Sequence, residues 1–347
     1  MPFQIDLIWP HLPGSLADLA DRTGLLRHSR QSWRRMYTVA GQRVAVQVGG
    51  RELSLSNLDK VLYPDAGFTK GELIDYYTRV APVLLPHLAG RPLTVKRYPN
   101  GVDAPFFYEK NAASGTPDWV RTVSLPAPGS TKDRDSIDYV VVEELATLVW
   151  LANLAAVELH VPQWTVSGRS RKPRTDLIVF DLDPGKPAGM AECREVALLL
   201  RDRLDADGLV PLAKTSGSKG MQVSAPVEVQ NQSETSEYAH RIAQQLEQQR
   251  PDLVVSRMTK SLRGGKVLLD WSQNNPAKTT VAPYSLRAKS KPTVSTPVTW
   301  DEVAGGKSLS FTADAVLRRV GSRGDLFATV LEDDRRARPP AISATRR

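Results

Sequence analysis

The sequence predicts an enzyme-like core of the α/β or α+β class, and three observations carry that prediction. Short apolar runs that alternate, or that end in Pro and Gly, mark strands. Longer periodic runs opened by capping residues mark helices. The two kinds are interspersed along the chain, with no internal repeat. With 347 residues, 41% of them hydrophobic, the chain buries a sizeable core as two domains or one composite one.

Residues 1–42 are an arginine-rich N-terminal extension (Arg22, Arg27, Arg30, Arg34, Arg35) with weak apolar periodicity at Leu16, Leu19 and Leu26. Its basic stripe fits an extra DNA contact, a partner surface or a solvated helix face. The main domain spans 43–331. Val44, Val46 and Val48 alternate before Gly49-Gly50, and Leu53 and Leu55 after it, which predicts a hairpin. Thr69 with Glu72 three residues on forms a capping box for a helix through Leu73, Tyr76, Tyr77 and Val80. Glu143 to Leu159 reads as a second helix, apolar nearly all round and stopped by Pro162. Residues 177–180 read as a buried strand running into Asp181-Leu182-Asp183-Pro184-Gly185. A helix over about 188–206 follows, then two apolar stretches separated by Thr215-Ser216-Gly217-Ser218-Lys219-Gly220. Residues 233–249 are again helical, and Val267 to Trp271 is a strand that delivers Asp270. Residues 332–347 form a basic polar tail expected to be disordered.

The balance of 46 basic against 38 acidic residues gives a net charge of +8 and an isoelectric point near 9.5. That favours a polyanionic partner, nucleic acid first, with a solvated basic surface as the alternative. No run approaches the ~18 apolar residues that cross a bilayer, and residues 1–14 lack signal-peptide regions, so no membrane partner and a cytoplasmic location are expected. The lone cysteine, Cys193, reads as a passive helix position.

On a strand, Asp181 and Asp183 point to one face about 7 Å apart, so two hard oxygen donors share one space. Asp270 adds a third carboxylate if the two strands are neighbours. Such a trio suits a two-metal site for Mg²⁺ or Mn²⁺, and a capping or turn role is the alternative. The glycines around Ser216, Ser218 and Lys219 allow backbone N–H groups to converge on an anion, with Lys219 adding charge. The spacing is not that of a Walker A loop, and a plain flexible turn also fits. His160, at the end of the second helix, is a candidate phosphate contact or a satisfied structural residue. Arg287 is a candidate bidentate phosphate contact or a solvated arginine.

From about 51 to 331 the chain resembles the polymerase domain of bacterial ligase D, a branch of the archaeo-eukaryotic primase superfamily. Six strings carry the resemblance in order: Asn57 to Pro64, Lys96 to Gly101, Glu158 to Trp164, Phe180 to Gly185, Thr215 to Gly220, and Asp270 to Asn274. The resemblance implies an α+β, primase-polymerase-like core with mixed sheets flanked by helices. It implies that Asp181, Asp183 and Asp270 hold the metals, Mn²⁺ or Mg²⁺, and that His160, Ser216, Lys219 and Arg287 contact the phosphates of an NTP or dNTP. It further implies that Lys60 and Lys70 grip the downstream 5′-phosphate of a gap, that Phe106 or Phe107 stacks on the template, and that Lys96 lies near the nascent pair. One of the two phenylalanine rings is expected in the core. The implied reaction is attack of a primer 3′-hydroxyl on the α-phosphate with release of pyrophosphate, often with Mn²⁺ and ribonucleotides, in end joining or gap repair. The implied partners are DNA with a gap or recessed end, a separate ligase and end-binding proteins, in a nucleoid-associated setting.

Three departures stand out. Gln222, at a nucleotide-binding position, replaces the histidine of a Ser-Gly-Ser-Lys-Gly-x-His pattern and changes a contact near the triphosphate, the basic loop between Val166 and Asp176 looks short for break bridging, and no Lys-x-Asp-Gly ligase motif is present. Two other readings compete: a DNA-end binding module that has lost its chemistry, and a haloacid-dehalogenase-type phosphatase using the apolar run before Asp181-Leu182-Asp183. The second lacks a late acidic pair other than Asp333-Asp334.

Overall fold

A computed structural model describes residues 43–127, 135–166 and 173–340. The N-terminal extension, and Arg169, Arg171 and Lys172 of the basic loop, lie outside the described residues. The hairpin forms as expected, Arg43–Val48 pairing antiparallel with Arg51–Ser56 across Gly49 and Gly50, both at positive φ. The capping box also forms. Thr69 accepts from the Glu72 N–H while the Glu72 carboxylate accepts from the Thr69 N–H, and the helix Lys70–Leu88 follows.

Two apolar cores result. In the first, the helices Lys70–Leu88 and Leu145–Asn153 pack with a four-stranded sheet ordered Thr280–Val281, Ala156–Val161, Thr94–Arg97 and Phe107–Glu109. In the second, the helices Met190–Ala206 and Ser233–Gln249 pack with a six-stranded sheet. Its order is Val254–Val255, Val267–Asp270, Leu177–Pro184, Met221–Pro226, Leu212–Thr215 and Pro297–Val298. Phe311 packs against both cores. In the central strand Leu177–Pro184, Ile178, Phe180 and Leu182 are fully buried in the second core, so the alternation of the pleat turns Asp181 and Asp183 to the other face.

Two expectations are corrected. The second helix ends at Asn153, and residues 156–161 are a strand. Ala155 takes the left-handed backbone (φ 58°) that usually calls for glycine, so nothing in the sequence announces the stop. A continuously apolar stretch does not by itself distinguish buried helix from buried strand. The stretch after Leu331 is folded as far as Pro340. Asp333–Arg335 is a 3₁₀ turn, Ala337 bridges Val227, Arg338 pairs with Glu234 at 3.4 Å, and the largely buried Arg336 lies 3.9 Å from Asp176. Arg336 and Arg338 face acidic partners on the domain, which composition alone does not reveal. Residues 341–347 lie outside the described residues.

Candidate active site

The Ser216–Gly220 loop joins two strands of the six-stranded sheet, beside the end of the central strand. Gly217 needs its positive φ (67°), and a Cβ there would come within 2.7 Å of Arg287 Cγ and Ser295 N. A Cβ on Gly220 would come closer still, 2.1 Å from the Leu182 carbonyl oxygen. The expected convergence of N–H groups on an anion is modified, because the Ser218 and Gly220 N–H groups both donate to Ser216 Oγ at 3.2 Å. Lys219 reaches the Pro184 carbonyl at 3.4 Å.

A cleft of ≈ 260 Å³ opens between the two cores, lined by Asp181, Asp183, Ser216, Lys219 and Gln222 from one side and His160 and Arg287 from the other. Arg287 is anchored over the loop by donating to the Ser216 carbonyl at 2.6 Å. Buried tyrosines of the Lys70–Leu88 helix fix its strand from behind. Tyr77 OH donates to the Val157 carbonyl and accepts from the Leu286 N–H, and Tyr76 OH donates to the Tyr284 carbonyl.

Asp181 lies directly opposite Asp270 on one neighbouring strand and opposite Gln222 on the other. Burial, then the Asp183 charge, push its carboxyl up to about 7, opposed by the Gln222 N–H donated at 3.0 Å. Asp270 is adjacent in register, but its oxygens are taken by the Ser272 N–H (3.0 Å), Ser272 Oγ (2.5 Å) and Gln273 Nε2 (2.8 Å), because it caps the turn Trp271–Asn274. Among the described residues no three His, Cys, Asp or Glu side chains converge as a metal-holding group. Asp181 and Asp183 thus share one strand face, and Asp270 stands opposite Asp181 with its oxygens bonded within its own turn.

His160 stands in the strand Ala156–Val161, where its Nε2 meets Glu158 Oε2 at 2.9 Å. Sequence reasoning missed Glu158. It is 1% exposed, and it gathers His160, Arg287 Nε (3.4 Å), Lys96 Nζ (3.7 Å) and the Ala288 N–H (3.0 Å). Burial opposes its ionisation, yet the His160 hydrogen bond and the Arg287 charge outweigh that and hold the carboxyl at about 2. Burial in turn lowers His160. The findable signal was the i, i+2 spacing of Glu158 and His160, which puts them on one face only if the segment is a strand.

Lys96 also sits 4.1 Å from the Phe106 ring, and Arg97 lies over Phe107 at 5.1 Å. Both rings are exposed, Phe106 at 46% and Phe107 at 43%, so neither belongs to the core as was expected of one. Lys60 and Lys70 form a separate basic pair. Lys60 Nζ donates to Asn100 at 3.0 Å, and Lys70, 5% exposed, reaches Ser56 Oγ at 3.4 Å. Desolvation, then the Lys60 charge, lower Lys70 to about 8. Cys193 is buried, as a passive thiol would be.

The family model for the LigD primase-polymerase domain matches residues 69–327. The chain is 45% identical over 283 residues to the multifunctional non-homologous end joining protein LigD of Mycobacterium bovis, covering 80% of this chain and 37% of that protein. It is 33% identical over 279 residues to the bifunctional non-homologous end joining protein LigD of Bacillus subtilis, covering 80% and 44%. The chain thus spans less than half the length of these relatives. The polymerase domain from Mycobacterium tuberculosis ligase D in complex with DNA superposes with a TM-score of 0.77 at 44% identity, covering 81% of this chain and 98% of that one. A sequence and fold so matched define a DNA-directed nucleotidyltransferase domain. The chain belongs to the LigD primase-polymerase domain family. The dehalogenase alternative falls with that assignment. No helix among the described residues is long and apolar enough to cross a membrane.

Proposed function

We propose that this chain is a template-dependent repair polymerase that extends primers and fills short gaps by attack of a 3′-hydroxyl on the α-phosphate of an NTP or dNTP, preferring ribonucleotides. The observation that carries the reading is the cleft itself, which an acidic strand pair lines together with a serine, two cations and an imidazole. Asp181 and Asp183 suit a hard divalent cation in donor chemistry, being carboxylates on one strand face with no cationic side chain among the described residues bonded to either and with Asp181 reluctant to ionise without one. Asp270, next in register, completes the set in this reading. Bound there, Mn²⁺ or Mg²⁺ supplies activation of the attacking hydroxyl and neutralisation of the leaving pyrophosphate.

The chain's own residues do the rest. Ser216, Lys219, His160 and Arg287 bind the triphosphate, with Arg287 preorganised by its bond to the loop. The exposed rings of Phe106 and Phe107 stack on the template, beside Lys96 at the nascent pair. Lys60 and Lys70 hold the 5′-phosphate of the downstream strand. The setting is gap or break repair at DNA in the cytoplasm, close to the nucleoid, with sealing left to a ligase activity outside these residues and end-binding proteins as further partners. Primer extension across a one-nucleotide gap, with and without a downstream 5′-phosphate and with ribo- or deoxyribonucleotides, tests this. Stimulation by the phosphate that Lys60→Ala abolishes supports it, and tight DNA binding without incorporation under Mn²⁺ or Mg²⁺ makes the chain a binding module instead.

A further inference from the structure

Strand register lays four side chains in a row across the six-stranded sheet. Asp270, Asp181, Gln222 and Lys214 are successive cross-strand partners, so they share one face. The last of them has no part in the reading above. Lys214 is 3% exposed, and its Nζ donates to Gln222 Oε1 (2.5 Å), to the Val281 carbonyl (2.9 Å) and to Ser295 Oγ (2.8 Å). Ser295 Oγ spends its own proton on the Thr215 carbonyl at 2.9 Å, which leaves its lone pairs for Lys214. Burial lowers Lys214 to about 7, against which three acceptors around one nitrogen match the three N–H bonds of the ammonium form, where a neutral amine carries only two.

That ammonium has a directional consequence. An amide side chain has an acceptor end and a donor end, and nothing in its shape distinguishes them. With a cationic donor fixed against Oε1, the Gln222 amide must turn Nε2 the other way, where it donates to Asp181 Oδ1 at 3.0 Å. We propose that Lys214 is a positioning residue for the acidic pair: it acts through Gln222, whose oriented amide engages Asp181 Oδ1 and leaves the second carboxylate oxygen for a divalent cation. Lys214 also reaches across the cleft, since Val281 belongs to the edge strand of the four-stranded sheet, so the same ammonium ties the metal pair to the lobe that carries His160 and Arg287. The inference rests on the reading of Asp181 and Asp183 as the metal pair.

The relay and a plain charge effect predict opposite signs. As a buried cation near two carboxylates, Lys214 acting by charge alone repels Mn²⁺, and its removal tightens binding. As an orienting donor, its removal frees the amide and weakens binding. The test is Mn²⁺ binding to the nucleotide-free protein, read from the electron paramagnetic resonance of free Mn²⁺, for Lys214→Met, Gln222→Leu and the double variant, with urea melts to establish folding. The relay predicts weakening of about tenfold for each single change, the size of one charge-assisted network contact, with no further loss in the double variant. Tighter binding in Lys214→Met, or an equal effect of that change in both backgrounds, overturns it. Should Lys214→Met fail to fold, Gln222→Leu decides, since unchanged Mn²⁺ affinity there overturns the relay. Asp181→Ala with Asp183→Ala separates the two layers. If wild-type Mn²⁺ binding survives that change, the metal reading fails and the relay falls with it.

Discussion

Glu158→Gln is the substitution whose effect follows most directly from the geometry. It keeps the shape of a buried side chain and removes the one negative charge that His160, Arg287 and Lys96 share. The wild-type carboxyl is held at about 2 against an ordinary 4.5, and that gap corresponds to about 3 kcal/mol of folding stability. Breaking a buried ion pair costs about the same, roughly 3–5 kcal/mol. Because the folded value lies below the unfolded one, this stability is complete above about pH 4.5 and is lost as pH falls toward 2. Urea denaturation of both proteins from pH 7 to pH 3 reads it. The wild type should be more stable by about 3 kcal/mol at neutral pH, with the difference roughly halved by pH 3. Glu302, also held at about 2 by its arginines against the cost of burial, titrates in both proteins and cancels in the difference. A gap that stays constant with pH, or no gap at all, refutes the view of Glu158 as the charged centre of this cluster.

Further outcomes follow from other parts of the site. Gly217→Ala forces a Cβ into Arg287 and Ser295 at a positive φ, and should cost about 1–3 kcal/mol in a thermal or urea melt while raising the nucleotide KM. Phe106→Ala and Phe107→Ala should leave stability nearly unchanged, because both rings are exposed, but weaken template binding by about 1–3 kcal/mol in a fluorescence titration if each stacks on a base. Lys70, at about 8, is charged below that pH and loses its charge as pH rises through it, so the preference for a 5′-phosphorylated gap should fade between pH 7 and 9 in a binding assay.

How much of this was legible in the sequence depends on whether the signal was local. The hairpin at Gly49-Gly50, the Thr69–Glu72 cap and the strand carrying Asp181 and Asp183 are written in residues a few positions apart, and they form as expected. The segment around His160 was misassigned because a buried strand and a buried helix look alike in an apolar run, and Ala155 supplies the turn without a glycine. Glu158 and Lys214 were passed over for a different reason. Several of their partners, Val281 for Lys214 and Ala288 for Glu158 among them, lie 67 to 130 positions away, so their roles exist only once register is known. Asp270 shows a local limit, since its bonds to Ser272 and Gln273 appear only with the 3₁₀ turn that follows it.

In the proposed function the acidic pair and the Ser216–Gly220 loop beside it form one polymerase site. Single-nucleotide incorporation at a templated primer terminus, with each of the four bases as template and Mn²⁺ or Mg²⁺ supplied, addresses it directly when run beside Asp181→Ala with Asp183→Ala. The account predicts incorporation of the complementary nucleotide by the wild type and none by the variant, although the variant still binds the DNA. Templated incorporation that survives loss of both carboxylates contradicts it.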